Sequence, residues 1–400
     1  MTTLQMENEG RHGAPAQAQF QFMSAHRCVR ASGVAERVSV PVDPHGQGDG
    51  QFQLAVSAAL ARARAAGIER PIVIGAIPFD LRQPSCLAVP LRHEFYERAP
   101  AAAAPARAPE APLVLSARSF PDELRFKQSV RQAIANFGLS DIRKAVLARI
   151  FEVELDERVD VARTFARLTA QNPSGYHFRL PLFDGSELIG ASPELLVRKH
   201  AGRIYSNPLA GSARRHSDPL RDREVSAALL QSGKDAYEHR LVIEDIARVL
   251  QPLCGALEIP AQPSLLSTAA MWHLSTRIEG VLADDAMSAL QLACRLHPTP
   301  AVCGFPTGLA RKLISLVEPF ERGMFAGMVG WCDADGNGEW VVTIRCGRVH
   351  QRRIQLFAGA GIVADSCPES EWAETQAKLQ TMLRALGVEL PQAEALGEAA

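Results

Sequence analysis

Hydrophobic and polar positions divide the chain into segments of helical and of strand period. The run "QFQLAVSAALARARAAGI" (51–68) spaces its apolar residues as a helix does, and "PIVIGAIPF" (71–79) follows as a nearly continuous apolar strand. In "PDELRFKQSVRQAIANFGLSDIRKAVLARIFEVEL" a capped helical opening gives way to a strand. The segment "YHFRLPLFDGSELIGASPELLVRKHAGRIYSNPL" predicts a series of short strands, with turns at Asp184-Gly185 and Ala201-Gly202. Two helices broken near Gly233 are expected in "PLRDREVSAALLQSGKDAYEHRLVIEDIARVLQPLC", and a hairpin in "EWVVTIRCGRVHQRRIQLFAGAGIV". A last helix begins at "PESEWAETQAKL". Its apolar face (Trp372, Leu379, Met382, Leu383, Leu386) lies beside a stripe of Glu371, Glu374 and Lys378 at i, i+3 and i+7.

Strands in mixed order with long helices between them indicate an α+β (mixed α/β) fold rich in antiparallel sheet. Residues 1–20 are polar and read as a frayed, disordered N-terminus. The Ala/Pro-rich stretch 99–112 forbids a continuous helix and reads as a surface loop. It separates an N-terminal part of the fold, 21–98, from a functional region over 113–390, and 391–400 forms a tail.

Composition narrows the classes. A chain of 400 residues, 47% hydrophobic and 22% charged, has ample core for a soluble globular protein. The formal net charge is -1 and the basic residues are scattered, so no field draws nucleic acid or anionic lipid. No apolar run approaches the ~18 residues of a membrane span, and the opening "MTTLQMENEGRHG" lacks the apolar core of a signal peptide. The eight cysteines form no C-x-x-C and several lie in apolar runs, which predicts buried free thiols in a reducing cytoplasm. No Walker A is present, and no G-x-G-x-x-G follows a strand.

Two helices each carry an i, i+3 carboxylate pair beside an apolar face: Asp235/Glu238 and Glu371/Glu374. Oxygen ligands of this kind suit Mg2+. Two solvated acidic faces are the commoner outcome of such spacing, and spacing alone leaves both readings open. The segment "DADGNGEW" matches three calcium-loop positions, but Ile344 stands where a bidentate Glu is required, so a hairpin turn is expected. Lys144 sits in an apolar strand, either as a base of depressed pKa or as an edge lysine that snorkels to water. Glu194, between a proline turn and two leucines, is an acid of raised pKa or a strand-end surface residue. His273 is a ligand-facing or a core histidine. The glycines of "FAGAGIV" admit an anion to the backbone or pack the sheet tightly.

Taken in order, "RKAVLAR", "GASPELLVRK", "NPLAGSARR", "KDAYEHRLV", "WHLST", "HPTPAVCGFP", "FAGMVGWCDADGNGEWVVTIRC", "LFAGAGIV" and "EWAETQAKL" resemble the chorismate-utilising enzymes, and most closely the isochorismate synthases of siderophore biosynthesis. The similarity runs from about residue 115 to 388. It implies large antiparallel-rich sheets flanked by helices, with the active site in a cleft between them. Lys144 then matches the lysine that activates water for attack at C2 of chorismate, and Glu194 the acid that protonates the departing C4 hydroxyl. Glu238 and Glu374 match direct Mg2+ ligands, and Asp235 and Glu371 the carboxylates that hold metal-bound waters. Arg345, with the backbone of Gly359 and Gly361, matches the site of the enolpyruvyl carboxylate. Gly211, His273 and Lys378 match other positions near substrate or metal. The lysine at 144 separates the chain from ammonia-using relatives. Ala301, Phe325, Ile344 and Phe357 resemble the set that stops at isochorismate, whereas salicylate synthases carry threonine and tyrosine in place of Ala301 and Phe325. Val302 stands where leucine is more typical. A salicylate synthase and a non-catalytic metal- or metabolite-binding homologue are the competing readings. The resemblance implies a monomer.

Overall fold

The strand-period segments close into two large antiparallel sheets and one small one. The computed structural model describes residues 19–43, 49–98 and 112–388. In the ten-stranded sheet the order is Gly304–Phe305, Lys144–Leu155, Arg353–Ile362, Cys346–His350, Glu187–Ser192, Tyr176–Pro181, Gln19–Met23, Cys28–Ser32 and Arg92–Tyr96; Val114–Phe120 also pairs with Lys144–Leu155. The nine-stranded sheet runs Cys254–Glu258, Ile278–Leu282, Arg203–Asn207, Leu195–His200, Gly338–Val342, Met328–Asp333, Ile72–Ile77, Cys86–Val89 and Glu36–Val38. Leu209–Arg214, Met271–Ser275 and Ser264–Ser267 make the small sheet.

One contiguous core joins the two large sheets, with Phe20, Phe22 and Leu188 of the first meeting Ile74, Leu195 and Val329 of the second. A second core lies where Phe151, Ile189 and Leu356 of the ten-stranded sheet meet Leu168 of helix Val161–Gln171 and Leu379 and Leu383 of helix Pro368–Leu386. Burying alternate residues on both faces explains why these strands read as nearly continuous apolar runs.

The helix expected over 51–68 forms as Gly50–Ala65, and the expected break separates Pro219–Gln231 from Gly233–Leu250. Asp333 closes the expected hairpin turn, its carboxylate accepting from the N–H groups of Asp335 and Asn337. All eight cysteines are free; Cys367 is exposed, Cys254 half-buried and the others buried.

Two expectations need correction. Residues 19 and 20 belong to strand Gln19–Met23 and not to a frayed end, because Phe20 and Phe22 alternate into the core. Residues 1–18, most of the Ala/Pro-rich loop (99–111) and the tail lie outside the described residues. Second, "EWVVTIRCGRVHQRRIQLFAGAGIV" is not one hairpin. Gly338–Val342 belongs to the nine-stranded sheet, and only Cys346–His350 with Arg353–Ile362 forms a hairpin, in the other sheet. The chain changes sheets through Thr343–Arg345, where Arg345 adopts a left-handed conformation (φ 51°). Apolar alternation continues through the crossing, so the pattern alone hides it. Strand Gln19–Met23 pairs with Tyr176–Pro181, and Ile72–Ile77 with Met328–Asp333, which weaves the N-terminal part into both large sheets.

Candidate active site

Strand Lys144–Leu155 opens on a lysine with no exposed surface. The edge at that point is covered by Gly304–Phe305, with Phe305 opposite Lys144, so the side chain cannot snorkel to water. Its Nζ stands 3.0 Å from Glu238 Oε1 but makes no well-directed hydrogen bond. Gly361 lies opposite Val146 on the neighbouring strand. A Cβ there would stand 2.2 Å from Glu238 Oε1 and 3.1 Å from Lys144 Cε, so only glycine leaves room for both side chains.

Glu194 occupies a second sheet crossing, between Glu187–Ser192 and Leu195–His200. The two crossings bond each other: the N–H of Val342 donates to the carbonyl of Glu194, and the N–H of Ala191 donates to the carbonyl of Arg345. Burial lifts the Glu194 carboxyl to about 7, against the pull of the Leu209 backbone and of Lys144, Arg345 and Lys378. Arg345, brought down to about 10 by burial, stands 3.4 Å from His273 Nε2. His273 itself is held well below its usual range, first by burial and then by Arg345 and Lys378, so it is neutral.

These groups line one pocket together with Gly211, Glu238, Gly359, Gly361, Glu374 and Lys378. Its apolar wall holds Ala301 and Ile344 beside Phe325 and Phe357, whose rings stack with centroids 5.1 Å apart. Lys378 ion-pairs with Glu374 and donates to the carbonyl of Gly359 at 2.8 Å. Lys144, Asp235 and Glu371 stand just behind this lining. Lys144 stands against Glu238, Glu371 lies within the field of Glu374 and pairs with Lys234, and Asp235 packs on Gly211, where φ is +78° and a Cβ would stand 2.9 Å from Asp235 Cβ.

The acidic stripe of helix Pro368–Leu386 therefore faces inward, opposite helix Gly233–Leu250. Ser232 caps the latter by accepting from the N–H of Asp235, and its hydroxyl donates to the Asp235 carboxylate. Burial, with the charges of Glu238 and Glu374, raises Asp235. Burial and Glu374 likewise raise Glu371, against Lys234 at 2.8 Å. Burial works to raise Glu374 too, but Lys378 and Lys234 hold it below the usual carboxylate range. Among the described residues no three His, Cys, Asp or Glu side chains converge on a metal position. The donor set nevertheless fits a hard divalent cation: its members are carboxylates on two facing helices, and Asp235 and Glu371 are raised by burial and then by the charges of neighbouring glutamates.

The family profile described as "Chorismate binding enzyme" matches residues 91–387. The chain belongs to the chorismate-binding enzymes. Within this family, the isochorismate synthase EntC of Escherichia coli (strain K12) is 43% identical over 389 residues, covering 97% of this chain and 99% of its own. The isochorismate synthase DhbC of Bacillus subtilis (strain 168) is 42% identical, covering 92% and 94%. The crystal structure of a putative 2,3-dihydroxybenzoate-specific isochorismate synthase, DhbC from Bacillus anthracis, superposes with a TM-score of 0.87 at 40% identity, over 94% of this chain and 98% of that one.

Three further residues shape the pocket of this chorismate-binding enzyme without having stood out in the sequence. Lys234 pairs with Glu371. The Nδ1–H of His239 donates to the carbonyl of Ala210 (3.2 Å) and its Nε2 bonds with Thr276 Oγ1 (2.8 Å), which locks the backbone next to Gly211. Ala326, beside Phe325, takes a left-handed φ of 59°. The dipeptide Glu238-His239 was the available signal for the second. An alanine in left-handed backbone leaves no sequence signature.

Proposed function

We propose that the chain is a siderophore-type isochorismate synthase, an isomerase that converts chorismate to isochorismate with Mg2+ as its metal. The observation that carries the reading is the pair of buried groups Lys144 and Glu194: the carboxyl, near 7, lines a pocket with a buried arginine, and the amine stands behind Glu238 of the same lining. A binding protein has no use for an acid and a base on a shared ligand.

Lys144 takes a proton from the water that attacks C2. The ring double bond shifts, and Glu194 gives its proton to the C4 oxygen, which leaves as water. One water enters and one departs, so the product is an isomer. Arg345 and the backbone at Gly359 and Gly361 hold the enolpyruvyl carboxylate, for which a planar guanidinium fork is suited. Gly211 and neutral His273 shape the pocket around the ring, and Lys378 fixes Glu374 and the Gly359 carbonyl. Glu238 and Glu374, with Asp235 and Glu371 behind them, would hold the cation, which would supply charge neutralisation at the ring carboxylate. Ala301 and Phe325 present no hydroxyl to the pocket, in keeping with a reaction that stops at isochorismate.

Incubating the protein with chorismate and MgCl2, then separating products by chromatography and assaying pyruvate, tests the reading. Isochorismate without pyruvate is expected. Stoichiometric pyruvate would make it a salicylate synthase, and absence of turnover would make it a binder.

A further inference from the structure

The outer edge of strand Lys144–Leu155 is paired at both ends and not between them. Gly304–Phe305 covers Lys144 and Ala145, and Val114–Phe120 covers the strand from Ile150 onwards. In the gap, the N–H of Val146 donates to the carbonyl of Cys303. The Val146 carbonyl and the Ala148 N–H meet two side chains instead of a strand. Arg322 Nη2 donates to the carbonyl at 2.7 Å, and the N–H donates to Glu318 Oε1 at 2.7 Å. Arg322 and Glu318 form a forked pair, Nε donating to Oε2 at 2.8 Å and Nη2 to Oε1 at 2.5 Å, and their side chains are only 2% and 4% exposed. The remaining guanidinium nitrogen, Nη1, donates to the carbonyl of Val302 at 2.8 Å. Val146 and Val302 line the pocket; Glu318 and Arg322 stand outside that lining.

We propose that Glu318 and Arg322 are positioning residues, which set the place of Lys144 and of the Ala301–Val302 wall from behind the pocket. The inference rests on the role given above to Lys144. One guanidinium bonds the carbonyls of two wall residues from separate segments, so it ties the strand that carries Lys144 to the opposite wall. Val146 follows Lys144 by two positions on a strand and shares its face, so a shift of the backbone at Val146 carries to the lysine. The carbonyl of Arg322 also accepts from the N–H of Phe325, a third wall residue, at 3.1 Å. Arginine suits the task because its planar fork meets the carboxylate on one side and both carbonyls on the other; a lysine has no such geometry. A buried ion pair adds little stability over well-packed apolar side chains. The worth of this one lies in the backbone groups that it holds in register.

The test uses the full chain, with R322M made in the wild type and in K144A. With chorismate and MgCl2, R322M should lower kcat by about 10–100-fold while KM stays within about threefold. Because the pair acts through Lys144, adding R322M to K144A should lower the residual rate by less than about threefold more. A pair that only holds the fold together would lower both backgrounds by the same factor. That outcome, or an R322M variant as active as wild type, would overturn the proposal. If R322M cannot be purified folded, E318Q/R322M leaves no unpaired buried charge and provides the same comparison. Hydrogen exchange reads the same contact without substrate. In either variant the amides of 146–148 should exchange at least about tenfold faster relative to those of strand Tyr176–Pro181 in the same sheet. An even rise across the sheet would also overturn the proposal. A wild type inactive on chorismate would refute the proposed function, and hydrogen exchange would still decide whether the pair holds this stretch of strand.

Discussion

Two glutamates in this molecule are buried to the same degree of chemical perturbation, and only one of them is placed to do chemistry. Burial lifts both Glu194 and Glu339 to about 7. Glu194 faces the pocket, within the field of Lys144, Arg345 and Lys378. Glu339 lies in the middle of the nine-stranded sheet, where the Ser24 hydroxyl donates to it at 2.6 Å and Arg198 stands 3.7 Å away. Its environment also raises Tyr176, first by burial and then by the Glu339 charge. Glu339 is absent from the pocket lining and has no base across from it. A displaced pKa therefore records desolvation; a cavity and an opposing base turn it into function.

The contrast is sharpest in activity. Lys144→Ala should lower turnover of chorismate by about 10²–10⁴-fold while circular dichroism stays native, and retained turnover would remove the lysine from the mechanism. Glu194→Gln should lose a similar factor. In the wild type, the rate should fall as pH rises through about 7, where Glu194 gives up its proton. Glu339→Gln should keep kcat within about twofold, because no reacting atom is near it. A large loss there would break the comparison.

Stability should treat the two alike. Each carboxyl has a folded pKa above its ordinary value of 4.5, so the native state retains its proton longer than the unfolded chain. Their contribution is present below about 4.5 and is lost as pH rises towards about 7. Chemical denaturation between pH 4.5 and 8 should show each Glu→Gln variant flattening that decline by on the order of 1–3 kcal/mol. The smallest effect is expected at the apolar wall. Phe325→Tyr should leave the fold and most isochorismate formation intact while adding a trace of pyruvate, detectable by a coupled assay.

Much of this comparison could be read from the chain. Helix Gly50–Ala65, the break at Ser232 and the existence of a stripe of Glu371, Glu374 and Lys378 follow from period, capping and spacing. The carboxylate spacing could not decide between solvent and pocket, since an i, i+3 pair has the same pattern on either face; the facing helix decides it. Lys144 was legible as an anomaly, but its burial depends on the two-residue strand Gly304–Phe305, more than 150 positions away. Lys234, beside an aspartate at a helix start, looks like any solvated residue until Glu371 is brought to it. Glu339 is the converse case, a charged residue in a strand pattern whose burial comes from neighbours far along the chain.

The paired sheet crossings have a consequence for how such a site can change. Ala191 and Val342 bond the carbonyls of Arg345 and Glu194, so main-chain hydrogen bonds tie the backbones that carry the acid and the arginine. Ala301, Phe325 and Phe357 line the pocket from outside these two crossings, whereas Ile344 lies within one of them. The pocket is thus a fixed frame with interchangeable panels. On the proposed function, substitutions in the panels would redirect the fate of a bound ring while the frame still presents Glu194 and Arg345.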